Sequence, residues 1–352
     1  MKVNIKKLLV VVLCLVLAAS FGGSALAGPS PREEAAEFYR GKTINFVLSH
    51  PPGSVITLKA LTFQRALEEF TGATVVFDGH EGASGLVAAN YIYNVAPKDG
   101  LTIGTSLAGA IILSELAGAA AAANYSFENI NWIADIATNE MIYVSTGGGR
   151  FRTAADLIGA ANMLLAGSVP GHSAGSFADL VTMEVLADNG TTTRYITGYE
   201  SESTRRIAVL QGECELSWQF LNQKALFDEG LLNPLFTFSR NRMPELPDVP
   251  SIFEAGFEVR PEMVDLLDTA VELSLFHNVI IAPPGVPENR IAFLHEAFEY
   301  VLAQEDVLEV FADNYLTASF IPPAEVKARA HEIYNMAQRN WDRLGALIDQ
   351  HR

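Results

Sequence analysis

Cysteine is almost missing from this sequence. Of 352 residues only Cys14 and Cys214 are cysteines, and Cys14 falls within the leader described below. The remainder can form no internal disulfide, so a buried core must hold it, and a chain of this length can build one, as two domains. Basic residues are also scarce: 24 Lys and Arg face 41 Asp and Glu, a net charge of −17. Phosphate backbones are bound by clustered Lys and Arg, so nucleic acid is excluded as a partner. Beyond the first 27 residues no apolar run approaches the roughly 18 residues of a membrane span. Ligand sets for metals are missing too. His295-Glu296 and Glu299 share a helical spacing, but no second histidine completes H-E-x-x-H. No metal and no cofactor is expected.

What is present begins with a leader. Lys2, Lys6 and Lys7 precede an unbroken apolar run from Leu8 to Ala19, and Ser24-Ala25-Leu26-Ala27 ends in a small-residue cleavage pattern before Gly28. This predicts a cleaved secretory signal peptide over 1–27 and a periplasmic mature chain.

After the leader, strand, loop and helix alternate. Thr43 to Leu48 reads as a strand that stops at His50-Pro51-Pro52-Gly53-Ser54, and helical spacing follows over 57–70, closed by Gly72. Thr74 to Phe77 is a second strand, then Gly79 to Gly85 a loop and 85–94 a short helix. Leu101 to Gly104 is a third strand. The pattern restarts with strands at 141–144, 162–165, 194–197 and 214–218 and helices at 177–187 and 203–211, while 288–350 is mostly helical. Repeated strand–loop–helix units predict an α/β fold: two lobes, each a mostly parallel sheet flanked by helices. The glycine-rich loops share one address, the C-terminal end of a strand before a helix, where open sheets bind ligands and helix N-termini favour anions. Two lobes facing each other through such loops would line a cleft for carboxylates with N–H groups, Ser and Thr.

One motif points elsewhere. Gly171-His172-Ser173-Ala174-Gly175 is a literal G-x-S-x-G, the nucleophile elbow of serine hydrolases. Three features oppose that role. Pro170 and Gly171 separate Ser173 from the strand end, the loop carries three serines (Ser168, Ser173, Ser176), and no HGGG-type oxyanion loop is present. Asp248 or Asp268 followed by His277 or His295 would give the right triad order, but among 7 His and 41 acids such an order is nearly free. A secreted serine hydrolase using Ser173 is the alternative. Arg205-Arg206, Arg240 and Arg242 read as solvated faces, Trp132 as core, and Cys214 as a small buried hydrophobe.

Six segments in order, INFVLSHPPGS, DGHEGASG, NVAPKDGLTIGTS, ITGYESESTRRIAVLQGECELSW, ELPDVPSIFEAG and APPGVPENRI, resemble the substrate-binding receptors of tripartite tricarboxylate transporters, the Bug-type periplasmic proteins. The resemblance covers about 38–350. It implies a hinged, monomeric, non-enzymatic solute receptor of the periplasmic-binding-protein type, which closes on a small di-, tri- or aromatic carboxylate and delivers it to a membrane permease. A carboxylate sensor serving a membrane kinase would use the same closed form. The lobes implied are 40–138 with 276–352, and 139–275. Carried over by position, the ligand loops are Gly53, Ser54, Val55, Ile56 and Thr57; His80, Gly82, Ala83 and Ser84; Thr105 and Ser106. From the second lobe come Gly167, Ser168, Gly171, His172, Ser173, Ala174 and Gly175, then Gly198 and Tyr199, then Trp218 and Gln219. Where relatives have Gly-Gly-Thr-Asp, this chain has Ser54-Val55-Ile56-Thr57. Loss of that aspartate points away from an amino dicarboxylate, and Val55 and Ile56 suit an apolar ligand body. His50, His80 and His172 stand where three imidazoles could surround the anion and strengthen its binding as pH falls past about 6.5.

Overall fold

The computed structural model describes residues 29–117, 123–137, 140–171, 173–199, 201–316 and 320–351; the leader lies outside them. Ten strands form two twisted layers. The first sheet takes β1 (Thr43–Leu48), β2 (Thr74–Gly79), β3 (Thr102–Leu107), β4 (Asn131–Ala137) and β10 (Asn278–Ala282), in the order β2-β1-β3-β10-β4. β1, β2 and β3 are parallel, while β10 runs antiparallel to both β3 and β4. The second layer takes β5 (Ile142–Thr146), β6 (Met163–Ala166), β7 (Thr193–Ile196), β8 (Ser217–Gln219) and β9 (Leu232–Thr237). β5 is antiparallel to β8 and β9, β6 is parallel to β7, and a Leu165–Leu216 bridge sets β6 beside β8. The resulting order, β7-β6-β8-β5-β9, repeats the plan of the first sheet. Each layer has a parallel trio, then an antiparallel strand, then an edge strand; in the first sheet that antiparallel strand, β10, is drawn from a distant part of the chain. These are the two lobes.

The central strands are buried on both faces and read accordingly. Ile44, Phe46 and Val47 of β1, and Val279, Ile280 and Ile281 of β10, are within about one per cent of full burial. Helices cover both faces. α1 (Pro31–Tyr39) starts with a Ser30–Glu33 capping box. The single helix expected over 57–70 is two, α2 (Val55–Thr62) and α3 (Gln64–Thr71), with a tightened turn at fully buried Phe63, whose N–H bonds Ala60 O at 3.2 Å. α3 ends on Gly72 at φ +68°, as a C-terminal glycine should. α4 (Leu86–Asn94) and α5 (Ala108–Ala117) complete the first half. α6 (Ala174–Asp188), α7 (Glu202–Leu210) and the short α8 (Lys224–Asp228) belong to the second.

α9 (Pro261–Leu275), which the sequence did not announce, packs on α6 and leads into β10. Four tail helices follow: α10 (Glu288–Val301), α11 (Glu305–Asp313), α12 (Pro323–Arg339) and α13 (Trp341–His351). On α10 the stripe Leu294, Ala297, Phe298 and Val301 is buried as its spacing predicts. α13 returns to the second lobe, where a side chain at Gly171 would collide with Ile348.

Candidate functional site

The ends of β1, β6 and β8 and the start of β10 converge on one cavity of about 630 Å³. Three helices aim their N-termini at it, each capped by serine. Ser54 Oγ accepts from Thr57 N at 3.4 Å at the head of α2. Ser173 Oγ accepts from Ser176 N at 3.1 Å at the head of α6, and Ser176 Oγ accepts from Ser173 N in return. Ser201 and Thr204 exchange the same pair of bonds at the head of α7. A helix leaves its first N–H groups without internal acceptors, and an N-cap serine takes the third. The residues that carry the first two are Val55 and Ile56, Ala174 and Gly175, Glu202 and Ser203, and all six line the cavity. This is an anion cradle built from main chain, with the positive ends of three helix dipoles behind it.

A fourth wall is the turn before α4. Gly82, Ala83, Ser84 and Gly85 all have positive φ, including two non-glycine residues at 47° and 54°. Backbone strain of this kind collects at ligand sites. Gly175 is required for a different reason: a Cβ there would lie 2.7 Å from Cζ2 of Trp218.

Apolar walls come from Leu107, Trp218, Phe220, Leu273 and Phe276. Trp218 is 8% exposed, and its Nε1 has no acceptor among the described residues. Arg205, expected on a solvated face, is instead 2% exposed. Its guanidinium bonds Asp179 at 2.8 Å and Ser168 Oγ at 3.0 Å and lies 4.5 Å over the Trp218 ring. Asp179 is held in addition by Tyr143 and Tyr195. Burial disfavours the charge on Arg205, but Asp179, Tyr195 and Tyr143 together outweigh it and keep the guanidinium ionised.

His50 and His277 line the cavity, yet burial pushes both down to about 4, so both are neutral at physiological pH. His50 Nδ1 meets Ser49 Oγ at 2.9 Å, and His277 Nδ1 lies 3.3 Å from Ser274 O. The expected ring of three imidazoles does not assemble. His80 is paired with Asp78 at 2.9 Å and stacked on Tyr91, away from the cavity, and His172 lies outside the described residues.

Of the residues expected at the ligand, Gly53, Ser54, Val55, Ile56, Gly82, Ala83, Ser84, Ser168, Ser173, Ala174, Gly175 and Trp218 line the cavity. Others stand behind it. Thr57 turns its hydroxyl to His50 O at 2.7 Å, and Thr105 supports Ser49 through two bonds, to its N–H and its hydroxyl. Ser106 is buried in β3, and Gln219 Nε2 donates to Glu202 O at 3.1 Å. Gly167 accepts the Tyr195 ring where a side chain would be, Gly171 abuts Ile348, Gly198 is outside the lining, and Tyr199 donates to Glu213 at 3.1 Å. Sequence reasoning missed Glu202, Arg205, Phe220 and the run Phe276-His277-Asn278, none of which sits in a glycine loop.

No triad forms around Ser173 among the described residues. Its Oγ is the α6 cap, Asp268 pairs with Arg240 at 3.0 Å, Asp248 is exposed, and His295 lies 3.3 Å from Trp132 O. No group of three or more metal-ligating side chains and no helix long and apolar enough to cross a membrane occurs among them either.

Comparison with known proteins agrees with the fold. The pattern of a family described as "Tripartite tricarboxylate transporter family receptor" matches residues 60–352. A Pseudomonas sp. (strain P51) relative, the "UPF0065 protein in tcbD-tcbE intergenic region", is 23% identical over 339 residues, 91% of this chain and 90% of its own length. Among solved structures, the periplasmic binding protein BugD superposes with a TM-score of 0.70 at 18% identity, over 87% of this chain and 99% of that one. MatC from Rhodopseudomonas palustris with bound malate gives 0.65 at 18%, over 87% and 99%. A second R. palustris protein, with adipate, gives 0.67 at 17%, over 88% and 97%.

Proposed function

Because this chain belongs to the tripartite tricarboxylate transporter receptor family, we propose that it is an extracytoplasmic solute receptor which closes its two lobes on a small organic carboxylate and presents it to a membrane permease. The observation that carries this reading is the cradle: six main-chain N–H groups at three serine-capped helix starts, around a cavity whose one guanidinium among the described residues is already committed to Asp179. Such a site takes a carboxylate without an unpaired side-chain cation. Two neighbours of the same fold were solved with malate and with adipate, both dicarboxylates. Export by residues 1–27 belongs to the same proposal.

The lobes divide as 40–138 with 276–352 against 139–275. Ser54 and its helix then stand on one side of the cleft, Ser173 and Ser201 on the other, so closure completes the cradle. A thermal-shift screen of di-, tri- and aromatic carboxylates tests the reading. At a hundred times its dissociation constant, a ligand adds about 2.7 kcal/mol to stability. Small-angle scattering should then show a more compact protein with the hit than without it. Silence across all the acids would overturn the reading, and turnover of an ester would move the function to Ser173.

A further inference from the structure

The two histidines of the cavity wall would meet an anion differently. The hydrogens around His50 are set by a short relay. Thr105 Oγ1 accepts from Ser49 N at 3.0 Å, and its own hydrogen finds Ser49 Oγ at 2.9 Å, nearer than Val47 O at 3.5 Å. Ser49 Oγ then donates to His50 Nδ1 at 2.9 Å. A neutral ring that accepts at Nδ1 carries its hydrogen on Nε2. His50 is therefore a donor as it stands.

His277 is set the other way round. Its Nδ1 lies 3.3 Å from Ser274 O. A carbonyl oxygen only accepts, so Nδ1 holds the one hydrogen of the neutral ring and Nε2 keeps a bare lone pair. Among the described residues no group bonds Nε2. The ring is half-buried, lines the cavity and stands edge-on to Phe220 at 5.8 Å. A carboxylate brings only lone pairs. Against Nε2 in a wall of Leu273, Phe276 and Phe220, it would set acceptor against acceptor. One proton on Nε2 turns that conflict into a charge-assisted hydrogen bond.

The groups facing His277 keep it neutral in the free receptor. Burial is the main cause, and Lys59 on α2 and His50 after β1 add to it. Lys59 is itself fully buried, and burial pushes its ammonium down to about 7 against the pull of Asp135 on β4 and Glu202 on α7. Behind Phe276, Arg329 on α12 is paired with Asp135 and Glu272, and on the other side Asp179 and Ser168 hold Arg205. Glu202 is the one acid in the lining among the described residues; burial pushes it upward, while Arg206, Asn222 and Lys59 oppose the rise. A bound anion adds the opposite charge that favours an imidazolium.

We propose that this receptor binds its carboxylate together with one proton, taken from solvent and held on Nε2 of His277. The inference deepens the carboxylate-receptor reading and rests on it. Its linkage has a definite sign. In the free receptor His277 titrates near 4, and in the complex the anion holds the proton to a higher pH. Between those two values each binding event takes up a proton, so affinity falls about tenfold for each unit that pH rises.

The test is calorimetric titration of the full mature protein with succinate and adipate, which have no hydroxyl to donate, in buffers of differing ionisation heat near pH 6.5. The slope of observed heat against buffer ionisation heat counts the protons taken up. The wild type should take up at least half a proton more than His277→Gln, a difference in which the shares of Lys59 and of the ligand cancel. Glutamine can donate with no added proton, so the variant should still bind, more weakly, with an affinity that depends less steeply on pH. Equal proton counts overturn the inference while the receptor reading stands. So does an uptake that persists in His277→Gln and vanishes in Glu202→Gln, because the proton then sits on the acid. If neither diacid binds, the tightest acid of the thermal-shift panel takes their place, and a panel without any binder overturns both readings. Should His277→Gln not fold, nitrogen NMR spectra of labelled histidine rings in the wild type decide the matter: saturation with ligand should add one imidazolium, and an unchanged number overturns the inference.

Discussion

Replacing Arg205 by methionine removes the cation from the most buried ion pair among the described residues. Arg205 and Asp179 side chains are 2% and 0% exposed, and they meet at 2.8 Å. Methionine keeps most of the packing against Trp218 but strands the Asp179 carboxylate, to which only Tyr143 at 3.0 Å and Tyr195 at 3.1 Å still donate. Removing one partner of a buried pair costs about 3–5 kcal/mol. At roughly 2 °C per kcal/mol for a chain of this size, the melting temperature should fall by about 6–10 °C. Burial already pushes the Asp179 carboxyl upward, with Arg205 the main opposing influence. Without Arg205 its folded-state value rises further above the unfolded one. The group then favours folding when protonated, so the deficit of the variant should shrink as pH falls toward the carboxylate range. Adding Asp179→Asn removes the stranded charge and should recover part of the loss. Melting curves of the wild type, both singles and the double close the cycle. A shift below 2 °C for Arg205→Met, or a double variant no more stable than that single, would refute the reasoning.

Three further outcomes are expected. Trp218→Phe keeps the ring wall but removes the unpartnered Nε1 donor, so carboxylate affinity should drop by about 1 kcal/mol, a factor of about five, with the melting temperature nearly unchanged; titration and melting together check it. Ser173→Ala deletes the α6 cap and should cost about 1 kcal/mol of stability. A urea titration reads that loss directly, and an unchanged midpoint would show the cap to be idle. His277 has a folded-state value near 4 against about 6.5 unfolded, so the unfolded chain binds the extra proton first. Stability present above pH 6.5 is therefore lost as pH falls from 6.5 to 4, by at most about 3 kcal/mol for this group. His277→Gln should flatten the denaturation profile across that window, and an unaltered slope would count against a buried neutral imidazole.

Much of the fold was legible because its parallel trios announce themselves locally. Short apolar runs leading into glycine loops placed β1, β2, β3, β6 and β7 within a few residues of where they lie. The antiparallel strand β10 was not: Pro283-Pro284-Gly285 closes it much as Pro51-Pro52-Gly53 follows β1, but no Gly or Pro separates its start from α9, and it takes its place through pairing with β3 and β4. The site divides the same way. Capping serines and glycines were visible because their roles are local: Ser54, Ser173 and Gly175 act within a turn of their own position. Arg205 was not, because what buries it is Asp179 on another helix, and two adjacent arginines look alike until one finds a partner. Thr57 and Thr105 were placed at the ligand by resemblance, but their hydroxyls support His50 and Ser49 instead.

The placement of β10 sets an order on synthesis. β4 has no neighbour in its sheet except β10, and β3 has an open side until β10 arrives. A nascent chain halted before Asn278 therefore exposes two unpaired edges while its second layer already has every strand. The first half of the molecule, made first, must finish last. Any form in which Asn278–Ala282 has not yet been made or admitted has every strand of only one layer, and the cleft comes into being in the same step that seals the amino-terminal sheet.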